Sequence, residues 1–116
     1  MENKFKNKHS YEKRFHESKN IKDKYPDRIP VIVGKCYKSK IPDIDKCKYL
    51  IPKDMTIGNF IFVIRKRINI EPSQALFIMI NGQLVIGSQS ISILYEEHQD
   101  EDGFLYITYT TENTFG

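Results

Sequence analysis

The sequence has no apolar run long enough to cross a bilayer. Its longest apolar stretches, such as residues 76–80, have the length of a strand. The opening Met1-Glu2-Asn3-Lys4 offers none of the apolar core of a secretory signal. Cysteine is scarce. Cys36 and Cys47 do not form a C-x-x-C pair, and both are expected as free thiols in a reducing compartment. Neither has a histidine near it in sequence, so nothing supports a thiol nucleophile. His9, His16 and His98 lack metal-ligand spacing. There is no Walker loop and no G-x-G-x-x-G to cradle a phosphate. Asp43 with Asp45, and the cluster Glu96, Glu97, Asp100, Glu101 and Asp102, lack the glycine-centred loop that calcium requires, and read as solvated turns. No internal repeat or low-complexity segment is present. These absences leave no catalytic residue, no metal site and no cofactor to name, and the chain reads as a non-enzyme.

What is there suffices for one core. The length is 116 residues, the size of one domain, with 40% apolar and 12% aromatic residues. The net charge of +3 is unevenly spread. Most lysines fall in the first 48 residues, whereas 96–102 is acidic. A basic front end suits an acidic partner such as membrane headgroups, an acidic peptide or nucleic acid; the alternative is a solvated lysine-rich surface. Aromatic and basic residues do not interleave, so no nucleic acid is expected.

The first 25 residues read as helical. Ser10 is placed to cap a helix in which Tyr11 and Phe15 share a face. A second short helix is expected near residues 21–24, ended by Pro26. Residues 29–36 form a first strand, partly apolar on both faces, which either needs cover on both sides or presents one side to a partner. The N-terminal helices are the obvious cover on one of them. After a loop over 39–46, residues 48–51 form a second strand stopped by Pro52, as suits a sheet edge. Residues 57–68 form the best-defined helix, with Thr56 as N-cap and a stripe of Ile57, Phe60, Ile61, Ile64 and Ile68. Phe62 and Val63 lie off that stripe and imply a second, partly covered face. Residues 75–80 form a third strand, Asn81-Gly82 a tight primed turn, and 83–86 a short return strand. Ser90 caps a brief helix over 91–97, and 104–110 form the last strand.

This order gives an α+β fold: one sheet gripping one long helix, a β-grasp with two extra N-terminal helices. Residues 1–25 are the helical extension, 26–110 the core and 111–116 a mobile tail. Two constellations carry chemistry. The edge strand, with Lys46 and Lys48, either receives an extended peptide by strand addition or is an ordinary edge guarded by lysines. The tail ends on Gly116, which is either a frayed terminus or a carboxylate slim enough to thread an enzyme channel.

The residues match something specific. The stretches are Lys24-Tyr25-Pro26-Asp27-Arg28-Ile29-Pro30-Val31-Ile32-Val33, Asp45-Lys46 with Lys48-Tyr49-Leu50-Ile51-Pro52, Ile64-Arg65-Lys66-Arg67, Ala75-Leu76-Phe77, Leu94-Tyr95-Glu96-Glu97-His98 and Asp102-Gly103-Phe104-Leu105-Tyr106-Ile107. With Glu112-Asn113-Thr114-Phe115-Gly116 they make a chain that resembles the autophagy-related protein 8 family of ubiquitin-like modifiers. The branch is that of the GABA-receptor-associated protein and the microtubule-associated light chain. The similarity runs from about Tyr11 to the end.

The resemblance implies a modifier whose Gly116 is activated by an E1-like enzyme, passed to E2-like enzymes and joined to phosphatidylethanolamine. A cysteine protease deconjugates it. Such a protein is cytoplasmic, and membrane-associated once lipidated, on autophagosomes or, in some protist relatives, a plastid-like organelle. It also implies recruitment of cargo receptors and adaptors carrying aromatic-x-x-aliphatic peptides. Carried over by position, the aromatic pocket uses Glu17, Ile21, Pro30, Ile32, Lys48, Leu50 and Phe104. The aliphatic pocket uses Tyr49, Ile51, Pro52, Met55, Phe60, Val63 and Arg67, with Arg28 and Lys46 as rim contacts for acidic residues. A second docking surface is implied around Phe77, Ile78 and Met79. The chain departs from the family pattern at Val85-Ile86, where many relatives have two prolines, and at Cys47, where lysine is common. Relatives often carry residues beyond the glycine, and none follows Gly116. A non-conjugated adaptor, binding peptides or cytoskeleton, is the competing expectation.

Overall fold

A computed structural model describes residues 4–37 and 39–111. Gly116 and the expected tail after Thr111 therefore lie outside the described residues. In chain order the elements are α1 (Lys4–Lys8), α2 (Tyr11–Lys24), β1 (Arg28–Lys35), β2 (Lys48–Pro52), α3 (Ile57–Arg67), β3 (Phe77–Ile80), β4 (Gln83–Leu84), α4 (Ile91–His98) and β5 (Leu105–Thr110). The strands form one sheet in the order β2-β1-β5-β3-β4. The central pair β1–β5 is parallel and the other pairs are antiparallel. This is the expected β-grasp.

Both faces of the sheet are covered, as the two-sided apolar pattern of β1 requires. Ile29, Val31 and Val33 enter the main core with Ile57, Phe60 and Ile64 of α3, Leu94 of α4, and Leu105, Ile107 and Tyr109 of β5. Ile32 points to the other face and joins Phe5 of α1 and Phe104, with Ile21 of α2 and Tyr106 packed against them. Helix α3 holds through this packing, because eleven residues are too few for a stable isolated helix. Its N-terminus is capped by Thr56, whose Oγ1 accepts from the Asn59 amide at 3.2 Å. Asn81 and Gly82 both take positive φ, 52° and 76°, the type I′ geometry that closes β3 onto β4.

Several elements differ from the sequence pattern. The expected break before Ile21 is absent. Helix α2 starts at the Ser10 cap, which accepts from the Lys13 amide, and runs unbroken to Lys24. No Gly or Pro interrupts it, and Lys19 pairs with Asp23 at 3.9 Å across the expected break. It stops at Tyr25, ahead of Pro26, with the Tyr25 amide on the Ile21 carbonyl at 2.7 Å. The second N-terminal helix is α1, which lies earlier in the chain. Strand β3 begins at Phe77 rather than at residue 75, because the register with β5 starts at Phe77 opposite Thr110. Phe62 is 66% exposed, which overturns the covered second face expected of it. It lies about 200° around the helix from Phe60, on the solvent side.

The acidic cluster is not wholly solvated either. Asp102 is completely buried. Its carboxylate accepts from the Arg14 guanidinium of α2, from the Tyr106 hydroxyl and from the Phe104 amide. Its carbonyl accepts from the Ser18 hydroxyl. Burial raises the Tyr106 phenol above its ordinary range, and the hydrogen-bonded carboxylate pushes it the same way. This buried cluster clamps α2 to the sheet and fixes the wall beside β2.

Candidate functional site

Strand β2 lies at one end of the sheet, and among the described residues no strand pairs with its outer edge. Its backbone groups there are a template for another chain. Its side chains alternate. Tyr49 and Ile51 are buried towards α3, whereas Lys48, Leu50 and Pro52 are half-buried. Tyr49 meets Phe60 edge-on, with centroids 5.6 Å apart. Burial raises the Tyr49 phenol, opposed in part by Arg67.

The expected aromatic-pocket residues come together on the α2 side. Ile32 and Phe104 are 3% and 0% exposed and form its floor. Pro30 is buried, and Leu50, Glu17 and Ile21 are half-buried around it. Lys48 and Glu17 form an ion pair that joins β2 to α2 across the mouth. A groove of about 500 Å³ continues outward along α2, lined by Lys13, His16, Asn20, Lys24 and Tyr25 together with Glu17 and Ile21.

Except for Pro52, which shares the alternate positions of Lys48 and Leu50, the expected aliphatic-pocket residues gather on the α3 side. Phe60 is fully buried beneath Tyr49 and Ile51, while Met55 and Val63 are partly buried against the same core. Arg67 is exposed at the end of α3, 3.4 Å from Asp45. At the rim, the Lys46 ammonium lies 5.2 Å from the centre of the Tyr49 ring, and an Arg28 Nη1 donates to the Leu50 carbonyl at 3.2 Å.

The two sets therefore occupy opposite faces of one sheet edge. An extended strand points residues i and i+3 to opposite faces. A peptide added to β2 with an aromatic and an aliphatic residue at that spacing would offer one to each set.

The residues of the expected second surface differ in exposure. Ile78 is 1% exposed inside the main core and Met79 is 6% exposed, so of the three only Phe77 is partly accessible. Consecutive strand residues alternate faces, so Ile78 and the pair Phe77 and Met79 lie on opposite faces of β3. Sequence reasoning missed one residue of the site, Phe5. Its signal was faint: Phe5 and His9 share a helical face in an otherwise basic segment too short to show periodicity. Cys36 is buried and Cys47 exposed, both as free thiols. Among the described residues no group of three His, Cys, Asp or Glu side chains is placed to hold a metal ion.

A family model described as "Autophagy protein Atg8 ubiquitin like" matches residues 13–116. The chain belongs to the Atg8 family. Autophagy-related protein 8 of Mycosarcoma maydis is 54% identical over 116 residues, covering all of this chain and 98% of the relative. Autophagy-related protein 8d of Arabidopsis thaliana is 54% identical over 112 residues, covering 97% of this chain and 93% of the relative. Trypanosoma brucei ATG8 superposes with a TM-score of 0.93 at 40% identity, with complete coverage of both chains. Plasmodium falciparum Atg8, solved in complex with a Plasmodium falciparum Atg3 peptide, superposes with a TM-score of 0.86 at 32% identity, covering 96% of this chain and 98% of that one. The α+β, ubiquitin-like fold with N-terminal helices is thus that of Atg8 structures, and the chain is an autophagy-related ubiquitin-like protein. Among the described residues no helix is long and apolar enough to cross a membrane.

Proposed function

We propose that this Atg8-family chain is a modifier that joins phosphatidylethanolamine through Gly116 and recruits aromatic-x-x-aliphatic peptides along β2. The observation that supports the peptide half is a sheet edge with which no other strand pairs among the described residues, its side chains alternating between two apolar faces. Lys46, Lys48 and Arg28 give that edge a positive rim for acidic flanking residues. The Atg3 peptide held by the Plasmodium falciparum relative supports an E2-like partner here. On this reading residues 1–25 regulate or extend the docking edge, 26–110 form the docking core and 111–116 present the reacting carboxylate. The catalytic cysteines belong to the E1-like, E2-like and deconjugating enzymes. Cytoplasmic protein becomes bound to an autophagosomal or other organelle membrane on conjugation. Two acyl chains make that attachment stable where one gives only marginal binding. Cargo receptors and adaptors are then the peptide-bearing partners.

Nuclear magnetic resonance titration with an acidic-flanked aromatic-x-x-aliphatic peptide tests the docking half. Amide shifts should concentrate on residues 46–52 and on the neighbouring faces of α2 and α3. Shifts confined to β4 or α4 would overturn it. For the lipid half, Gly116→Ala should release the protein from membranes in a flotation assay. Full retention would favour a non-conjugated adaptor.

A further inference from the structure

We infer that Phe5 is an intramolecular occupant of the aromatic pocket, so that α1 keeps the pocket closed until a peptide displaces it. The inference rests on the docking reading above and concerns the regulation of that same site. Phe5 is the one buried side chain of α1 and is 7% exposed. Its ring packs edge-on against Phe104 with centroids 5.3 Å apart, and it shares a cluster with Ile32 and Ile21. The Lys48 ammonium lies 5.8 Å from the centre of the Phe5 ring while paired with Glu17. Pocket floor, plug and gate are therefore in mutual contact. An incoming aromatic side chain needs the volume that Phe5 fills, because Ile32 and Phe104 have almost no surface left to offer.

What holds α1 down suits a reversible device. It is a helix of five residues, too short to be stable alone. Lys6 pairs with Asp100 at 2.6 Å and Lys4 with Asp43 at 3.5 Å. Both pairs are at least partly open to water, where such contacts are weak and screened by salt. The buried Arg14–Asp102 pair, by contrast, anchors α2, and Arg14 Nε also donates to the His9 carbonyl at 3.1 Å, so α1 lifts about a hinge held at His9 while the pocket wall stays in place.

A plug of this kind lowers apparent affinity by the fraction of molecules that are open. The test titrates the full chain and its Phe5→Ala variant with a labelled aromatic-x-x-aliphatic peptide. A second peptide carries alanine in place of the aromatic residue. Phe5→Ala should tighten the aromatic peptide by about tenfold, the change expected if roughly a tenth of the molecules are open, and leave the alanine peptide unchanged. Unchanged or weakened binding of the aromatic peptide would overturn the plug, as would equal tightening of both peptides. If neither peptide binds either protein, the docking reading falls and the plug with it. Hydrogen exchange on the unaltered chain gives a second readout that needs no variant. The His9 amide, which donates to the Phe5 carbonyl at 3.2 Å, should lose protection when the aromatic peptide saturates the chain. Unchanged or increased protection there contradicts the plug.

Discussion

Asp102 joins α2 to the sheet through a single carboxylate. Asp102→Ala would leave the Arg14 guanidinium, whose side chain is only 11% exposed, without its counter-charge. The expected loss is about 3–5 kcal/mol, read as a lower urea midpoint. This residue was not legible in the sequence. It ends an acidic run like any solvated turn, and its partner lies 88 residues away. Next to it, Gly103 has φ of 90°, and an added Cβ would collide with the Ser18 hydroxyl. Gly103→Ala should therefore cost on the order of 2 kcal/mol in the same denaturation assay. The Asn81-Gly82 turn was legible, because its positive φ values follow from residue type alone.

At the scale of elements, periodicity found what was long enough to show it. Helix α3, its Thr56 cap and the last strand emerged from spacing alone. Thr56→Ala should cost about 1 kcal/mol, measured by thermal or urea unfolding. Helix α1 was not legible as a separate element, since five residues hold a single apolar anchor. The two-sided burial of β1 signalled cover on both faces but could not say that Phe5 supplies part of it. The pockets of β2 show the same division. The edge position of β2 was readable from Pro52, whereas the depth of Phe60 and Phe104 depends on helices remote in sequence. Lys48→Glu should set two carboxylates facing each other across the pocket mouth, opposite Glu17. Affinity for an acidic-flanked peptide should fall by at least about tenfold, with an unchanged far-UV circular dichroism spectrum. Retained affinity would place the peptide elsewhere.

The whole molecule responds to alkali through its core. Tyr109 is fully buried and donates to the Pro42 carbonyl at 2.8 Å. Burial, reinforced by Asp43, pushes its phenol up to about 12. A folded value above the unfolded value of about 10 means that stability is full below pH 10 and declines as pH rises towards 12. Tyr106 shifts in the same direction and adds to the slope. Tyr109→Phe should lose the hydrogen bond but flatten the decline between pH 10 and 12, followed by urea midpoints across that range.

The central proposal is that Gly116 is the reacting group that turns a peptide-binding β-grasp into a membrane tag. Intact-mass analysis of the protein from cellular membrane fractions, with fragmentation to locate any adduct, tests it most directly. A mass increase of one phosphatidylethanolamine less one water is expected, mapped to Gly116 and absent from Gly116→Ala. Membrane-bound protein at its unmodified mass, or an adduct on another residue, would contradict it.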